Sequence, residues 1–422
     1  MDFYRDPIQL FDKLHAQYGD IVRMEGWSYC AHLLVQPEHI KYVLQDNAKN
    51  YAISRIFDEI TPVIGNGLTT NNGPTWLRQR RMVQTAFNHK HIPAYAEATA
   101  SIVDEGLRLW ESHIHSGKPL DIDAEILPIN LRILGKLLFG VDMQYDDPFL
   151  EALGTARQIS LDHARSVIKF PFSRRFEKAL QILDEYTYRQ IAERRNGRLG
   201  TDILSTLVEA VDKETGQGMS DTELHDEIIA LFYAAYEDVA NILAWAWYLL
   251  AQNPRVETRL RTEVQEALGD RLCTAADLKN MPYLSMTINE VMRLFPVNWS
   301  MLRESINEDE IGGFHIPAKS ILIFDCFITH QLPAYWDNPQ RFDPERFSLE
   351  RSAGRPRFTY FPFGGGPRQC IGNEVALIEM KMLLARMLQL YRFTLVSKAP
   401  IKMTGASSLQ PHGGMWMKIQ KA

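Results

Sequence analysis

Apolar positions recur at helical spacing through most of this chain. Ile8, Leu10, Phe11, Leu14 and Tyr18 mark a short amphipathic helix over 6–18, closed by Gly19. Two apolar runs, 21–24 and 31–35, read as strands on either side of Gly26, and Pro37 opens a helix reaching Leu44. Segment 51–72 is polar, glycine-bearing and irregular, a loop by composition, and a helix starts at Pro74-Thr75-Trp76. From 92 to 198 the pattern is helical. Ser220 and Glu223 have capping-box spacing, and the apolar period then runs without interruption to Asn253-Pro254. At ~1.5 Å per residue that predicts a helix of roughly 50 Å. Further helices are predicted over 255–268, 281–295 and 373–391. Segments 310–317 and 320–324 read as strands paired through a proline-containing turn, and 403–415 as a hairpin. The predicted fold class is mainly α with small antiparallel β-regions.

Length alone would allow two or three domains in 422 residues. No Gly/Ser-rich run, low-complexity tract or repeat separates them, so one domain spanning 1–422 is expected. Net charge is −6 and the 46 basic residues are scattered, which excludes a nucleic-acid-binding footprint. Cys30, Cys273, Cys326 and Cys370 lie far apart without CxxC spacing, which disfavours structural zinc and a disulfide framework. The N-terminus has no basic region or apolar signal core, and no run of 18 apolar residues occurs. The expectation is a soluble, cytoplasmic monomer with no transmembrane segment.

One stretch carries distinctive chemistry: Phe363-Gly364-Gly365-Gly366-Pro367-Arg368-Gln369-Cys370-Ile371-Gly372. Its glycines leave little side-chain bulk, so the backbone can approach a flat ligand and take φ > 0. Cys370 lies just ahead of a helix N-terminus, where free N–H groups and the dipole stabilise a thiolate, the metal-ligating form. An inert buried cysteine is the commoner fate of an isolated Cys. A hydrolase nucleophile is the other reading, but no histidine-containing motif lies nearby to support it.

The spacing of Phe363, Gly366, Arg368, Cys370 and Gly372 resembles FxxGxRxCxG, the haem-binding signature of the cytochrome P450 family. Other stretches extend the resemblance along nearly the whole chain. Trp76 and Arg80 match the family's WxxxR, Glu290 and Arg293 its ExxR, and Pro344-Glu345-Arg346-Phe347 its PERF. The resemblance implies Cys370 as axial ligand of haem b (iron protoporphyrin IX), with Phe363, Gly364 and Gly372 framing the loop. It implies propionate contacts from Trp76, Arg80, Arg303 and Arg368, and a Glu290, Arg293, Arg346 network bracing the cysteine loop. Weaker pocket candidates are Phe57, Ile60, Val63, Phe172, Tyr236, Ser407 and Leu409, with 148–161 and 170–172 beside the substrate channel. His330 reads as well as a packed surface histidine as a functional one.

Ala234-Ala235-Tyr236-Glu237-Asp238-Val239 corresponds to the family's (A/G)-G-x-(D/E)-T-T on the long helix. Small Ala234 and Ala235 leave room beside a cofactor, and Glu237 takes the acid position of the proton relay. Asp238 departs from the pattern by standing where relatives have threonine. A pair of carboxylates on a buried helix resists double ionisation, so a protonated Asp238 could donate as threonine would.

By resemblance the reaction is monooxygenation, inserting one oxygen atom from O2 into a hydrophobic small molecule. A thiolate ligand pushes electron density onto haem iron and favours O–O cleavage. Electrons would come from a separate ferredoxin with its ferredoxin reductase, or from a flavoprotein reductase, with Arg78, Arg81 and Lys90 offering positive charge. The Asp238 substitution keeps open an atypical haem-thiolate activity, as a peroxygenase or a peroxide isomerase or dehydratase. A haem-binding sensor would use the same loop without needing Glu237 and Asp238. Fatty acid, terpenoid, polyketide and aromatic substrates are not distinguished.

Overall fold

A computed structural model describes residues 6–26, 30–144, 146–166, 171–405 and 408–422. The chain divides into two compact units, Met1–Ser54 with Val103–Ile126 and Asp238–Ala422, and Arg55–Ile102 with Leu127–Glu237.

The first unit carries the sheets. Its largest has the strand order Ile21–Glu25, Cys30–Leu34, Ile321–Asp325, Ser300–Ser305, Tyr51–Ala52. Ile321–Asp325 is buried along its whole length, as its unbroken apolar run requires of a central strand. It pairs parallel with Cys30–Leu34 and antiparallel with Ser300–Ser305, so this sheet is mixed. The expected pairing of 310–317 with 320–324 does not form. Asp309–Ile311 pairs instead with Phe314–Ile316. Gly312 and Gly313 take φ of 57° and 83° between them and close a local two-residue hairpin, which frees 321–325 for the sheet. Near the C-terminus Met403–Gly405 pairs with Leu409–Pro411. Ala406 and Ser407, at the expected hairpin tip, lie outside the described residues, as does Phe170.

Helices make up the second unit. They include Gly73–Val83, Pro148–Arg165, Arg174–Arg195 and Asp221–Ala235. Phe139, Phe149, Tyr186 and Phe232 interlock at its core, with ring centroids 4.9 to 5.5 Å apart.

Sequence periodicity predicts one helix from 220 to 253. Its N-terminus forms as expected, the Ser220 and Glu223 side chains closing both halves of a capping box. The helix then breaks at Tyr236-Glu237, giving Asp221–Ala235 and Asp238–Gln252. By length and composition Asp221–Gln252 could cross a membrane, but 61% of its apolar window is buried inside the protein, as in a core helix.

Candidate haem site

The cysteine loop is held by its own backbone and by a buried ionic cluster. Cys370 N–H donates to the Phe363 carbonyl at 2.9 Å, and Gly364 N–H to that of Phe361 at 2.8 Å. Gly366, at φ 68°, lies so close to the turn at Tyr42–Asp46 that a Cβ there would sit 1.7 Å from the Leu44 carbonyl oxygen. A Cβ on Gly365 would sit 2.3 Å from the Phe358 ring. Two of the three glycines are thus demanded by packing inside the protein. The helix Asn373–Leu390 begins just beyond the loop, capped by Gly372. Cys370 is exposed. Cys273 and Cys326 are buried, which pushes the Cys273 thiol up to about 12 and the Cys326 thiol well above its ordinary value.

Behind the loop, Glu290 and Arg293 have no exposed side-chain area and form a two-pronged pair at 2.7 and 2.8 Å. Glu290 also faces Arg346 at 3.3 Å and accepts from the Asp343 N–H at 3.0 Å. A pair so buried holds only when its remaining polar atoms are also matched. Arg293 supplies one such match by donating to the His330 carbonyl at 3.0 Å.

His330 is not a surface residue. It is fully buried, its Nε2 accepts the Phe361 N–H at 3.0 Å, and its ring packs against those of Tyr360 and Phe361. Burial and the Arg293 charge pull it down to about 3, which keeps it neutral and able to accept. Sequence reading missed this brace on the loop.

Arg303 supplies a test of whether these residues fit a haem. It projects from Ser300–Ser305, and its only hydrogen bond among the described residues runs from Nη1 to the adjacent Leu302 carbonyl at 2.7 Å. Burial alone lowers its guanidinium to about 10, and no carboxylate faces it among the described residues. A desolvated arginine with no counter-charge suits an anionic group such as a propionate. On the same strand Met301 reaches the loop, its sulfur 3.4 Å from where a Cβ on Gly364 would be. The exposed thiol and the uncompensated cation together fit a haem. Phe363 and Arg368, on the loop itself, are half-buried.

In the second unit, Ala234 is exposed at the C-terminal end of a helix whose Leu224–Ala230 stretch and Phe232 are buried. Beyond half-buried Ala235, the Asn130 amide donates to the carbonyls of Ala235 at 3.0 Å and Tyr236 at 2.8 Å. Glu237 is gripped by Arg157, with contacts of 2.6 and 2.9 Å, and the same guanidinium lies 5.2 Å from the Tyr236 ring and 5.5 Å from that of Tyr233. Asp238 in the first unit accepts from Asn298 Nδ2 at 3.2 Å. The two carboxylates thus have different partners, a guanidinium for Glu237 and an amide for Asp238.

Other expected residues lie as follows. Trp76 is buried and Arg80 half-buried on Gly73–Val83. Phe57 and Ile60 are half-buried, Val63 is buried, and Phe172 stacks on Phe176 at 4.1 Å. Leu409 belongs to a core cluster with Phe11 and Trp299, so its side chain serves packing. Arg78 pairs with Glu223, and Arg81 with Asp212 and Glu214. Those charges are largely spent within the protein. Lys90 is exposed.

A thiol presented ahead of a helix, a buried glutamate-diarginine brace and a desolvated arginine on a neighbouring strand are the features a haem-thiolate class of protein requires. The cytochrome P450 family model matches residues 2–417, and the chain belongs to that family. It is similar to cyclooctatin synthase of Streptomyces melanosporofaciens, at 34% identity over 90% of this chain and 84% of the relative. Cyclooctat-9-en-7-ol 5-monooxygenase of the same organism is 31% identical, over 93% and 86%. Pentalenene oxygenase of Streptomyces avermitilis is 28% identical, over 94% and 89%. The chain is an oxidoreductase of the cytochrome P450 monooxygenase type.

Proposed function

We propose that this protein inserts one oxygen atom from O2 into an apolar terpenoid hydrocarbon or its alcohol, using electrons from a separate ferredoxin or flavoprotein partner. The observation that carries the reading is the exposed Cys370 thiol on a loop braced by Glu290, Arg293, Arg346 and His330. The substrate class rests on relatives named for pentalenene and cyclooctat-9-en-7-ol. The chain acts as one cytoplasmic haem domain over 1–422, as a monomer.

Cys370, as thiolate, would hold haem b, which would supply the oxygen-activating chemistry. The protein's own residues bind, orient and move protons. Arg303 and Arg368 would hold a propionate by charge-assisted donation, and Trp76 and Arg80 are the propionate donors proposed in the second unit. Glu237 is the acid of the proton path, and Arg157 fixes its carboxylate and shares its charge. Asp238 serves as an acceptor towards Asn298, in place of a hydroxyl donor.

A carbon monoxide difference spectrum with the thiolate-type red-shifted band is expected from wild type, and its loss from Cys370→His. A conventional band in wild type would sink the reading. Binding spectra with cyclic terpene hydrocarbons, with fatty acids as the competing class, then test the substrate. Asp238 favours a second reading, in which peroxide replaces O2 and the reductant. Turnover with peroxide alone, and none with any reductant pair, would select it. Product formed per NAD(P)H in Asp238→Thr and Asp238→Ala tests the role of Asp238, and unchanged coupling in both would remove it from the proton path.

A further inference from the structure

The break in the central helix lacks the threonine that its sequence pattern leads one to expect, yet it is held in place. We propose that Asn130 is a positioning residue: its single amide secures the break at Tyr236-Glu237 and so fixes the direction of the Glu237 acid.

Asn130 lies on the helix Ile122–Phe139, has no exposed area, and gives one N–H to each of two consecutive carbonyls, those of Ala235 and Tyr236. Both partners can only accept, so the amide nitrogen must point at them. Its Oδ1 is buried with no hydrogen-bond partner among the described residues. An asparagine that leaves its own acceptor unmatched while using both donors is placed for donation. A carbonyl where the helical ladder stops has lost its regular donor, and burying it unmatched is costly. Asn130 removes that cost at both positions, and without it the cheapest remedy is for the helix to close through the break.

The neighbouring helix Pro148–Arg165 locks the same turn from its side chains. The Tyr236 hydroxyl sits so close to Gly154 that a Cβ there would be 2.6 Å away. Arg157 lies against the Tyr236 ring and grips Glu237 with two contacts. If the break closed, the backbone at 236 and 237 would rotate and the Glu237 carboxylate would leave Arg157. Asn130 therefore acts on proton delivery through Glu237, and this functional consequence rests on the reading of Glu237 given above.

The test uses the haem-loaded full chain with Asn130→Leu, which keeps volume and removes both donors, and Asn130→Asp, which keeps shape. In Asn130→Leu, amide hydrogen exchange should accelerate about fivefold or more in peptides covering 235–241 and stay unchanged elsewhere. Peroxide released per NAD(P)H, with a surrogate ferredoxin and reductase, should rise several-fold. In Asn130→Asp a carboxylate would repel both carbonyls, while its protonated form could donate to one. Both signals should therefore approach wild type at about pH 5 and depart from it at about pH 8, each compared with wild type at the same pH. Wild-type exchange in 235–241 for both variants would overturn the proposal. Faster exchange with unchanged peroxide release would overturn it too, leaving Asn130 a packing residue. Should Asn130→Leu fail to fold, the pH dependence of Asn130→Asp decides alone. A missing thiolate-type band in wild type would defeat the assigned function without altering the exchange result.

Discussion

The brace behind the cysteine loop and the break in the central helix solve similar problems by opposite means. Behind the loop, Glu290, Arg293, Arg346 and His330 are fully or almost fully buried, and every strong contact closes within one unit. At the break a single neutral amide matches two backbone carbonyls, and one arginine restrains the acid. The brace uses charge to make a rigid seat, and the cost of exposing any one member keeps the others in place. The break uses weaker contacts on a segment that must remain open and polar. A support can be over-determined, whereas a break held by few bonds can change through single substitutions.

Removing the centre of the brace should have the largest effect. Glu290→Ala strips buried Arg293 and Arg346 of their shared carboxylate, at a cost of about 3–5 kcal/mol. Purified protein should carry little haem, measured as haem per polypeptide, and wild-type loading would dissolve the contrast. Arg303→Ala comes next. Losing one charge-assisted donor costs about 1.5–3 kcal/mol, or roughly ten- to a hundredfold in haem retention. Transfer of haem to an acceptor globin measures it, and an unchanged rate would clear Arg303 of any propionate contact.

At the break, Glu237→Gln and Arg157→Ala should each lower product per NAD(P)H by about tenfold, with the double variant no worse than the single ones. Additive losses would mean that the two act separately.

The smallest effects are in pH dependence, where two buried groups, one in each unit, should respond with opposite sign. His330 is held near 3 against an ordinary 6.5, so the folded state binds its proton less tightly. Its contribution is complete above 6.5 and is lost as pH falls towards 3. In the second unit, fully buried Glu227 accepts the Leu68 N–H at 3.2 Å, and burial pushes it up to about 8. There the unfolded chain releases its proton first, so stability falls as pH rises from 4.5 to about 8. Thermal unfolding of Glu227→Gln should lose that alkaline decline, and His330→Gln, which retains an acceptor, should lose part of the acid one. Parallel pH curves for wild type and variants would refute either assignment.

Local spacing makes the brace legible in the sequence. Glu290 and Arg293 are one helical turn apart, and Arg346 lies in a motif of its own. The break is not legible there, because Ala-Ala-Tyr-Glu-Asp-Val contains neither glycine nor proline and continues the helical period. What holds it open comes from far along the chain, Asn130 lying 105 residues from Ala235 and Arg157 lying 80 from Glu237. No local pattern encodes such pairs. His330 escapes sequence reading for the same reason: its value is an Nε2 lone pair aimed at a backbone N–H 31 residues away. The expected strand pairing fails on turn chemistry, the Gly312-Gly313 hairpin taking precedence over the proline-containing turn.

The close approach of Gly366 to Leu44 bears on engineering. Ten residues carry the loop's signature, but their shape is moulded on a turn more than 300 positions earlier in the chain. The signature is therefore not a portable cassette. A chimera that imports the loop from a relative should import the partner of 42–46 with it, and a library that varies either segment alone will mostly sample misfits.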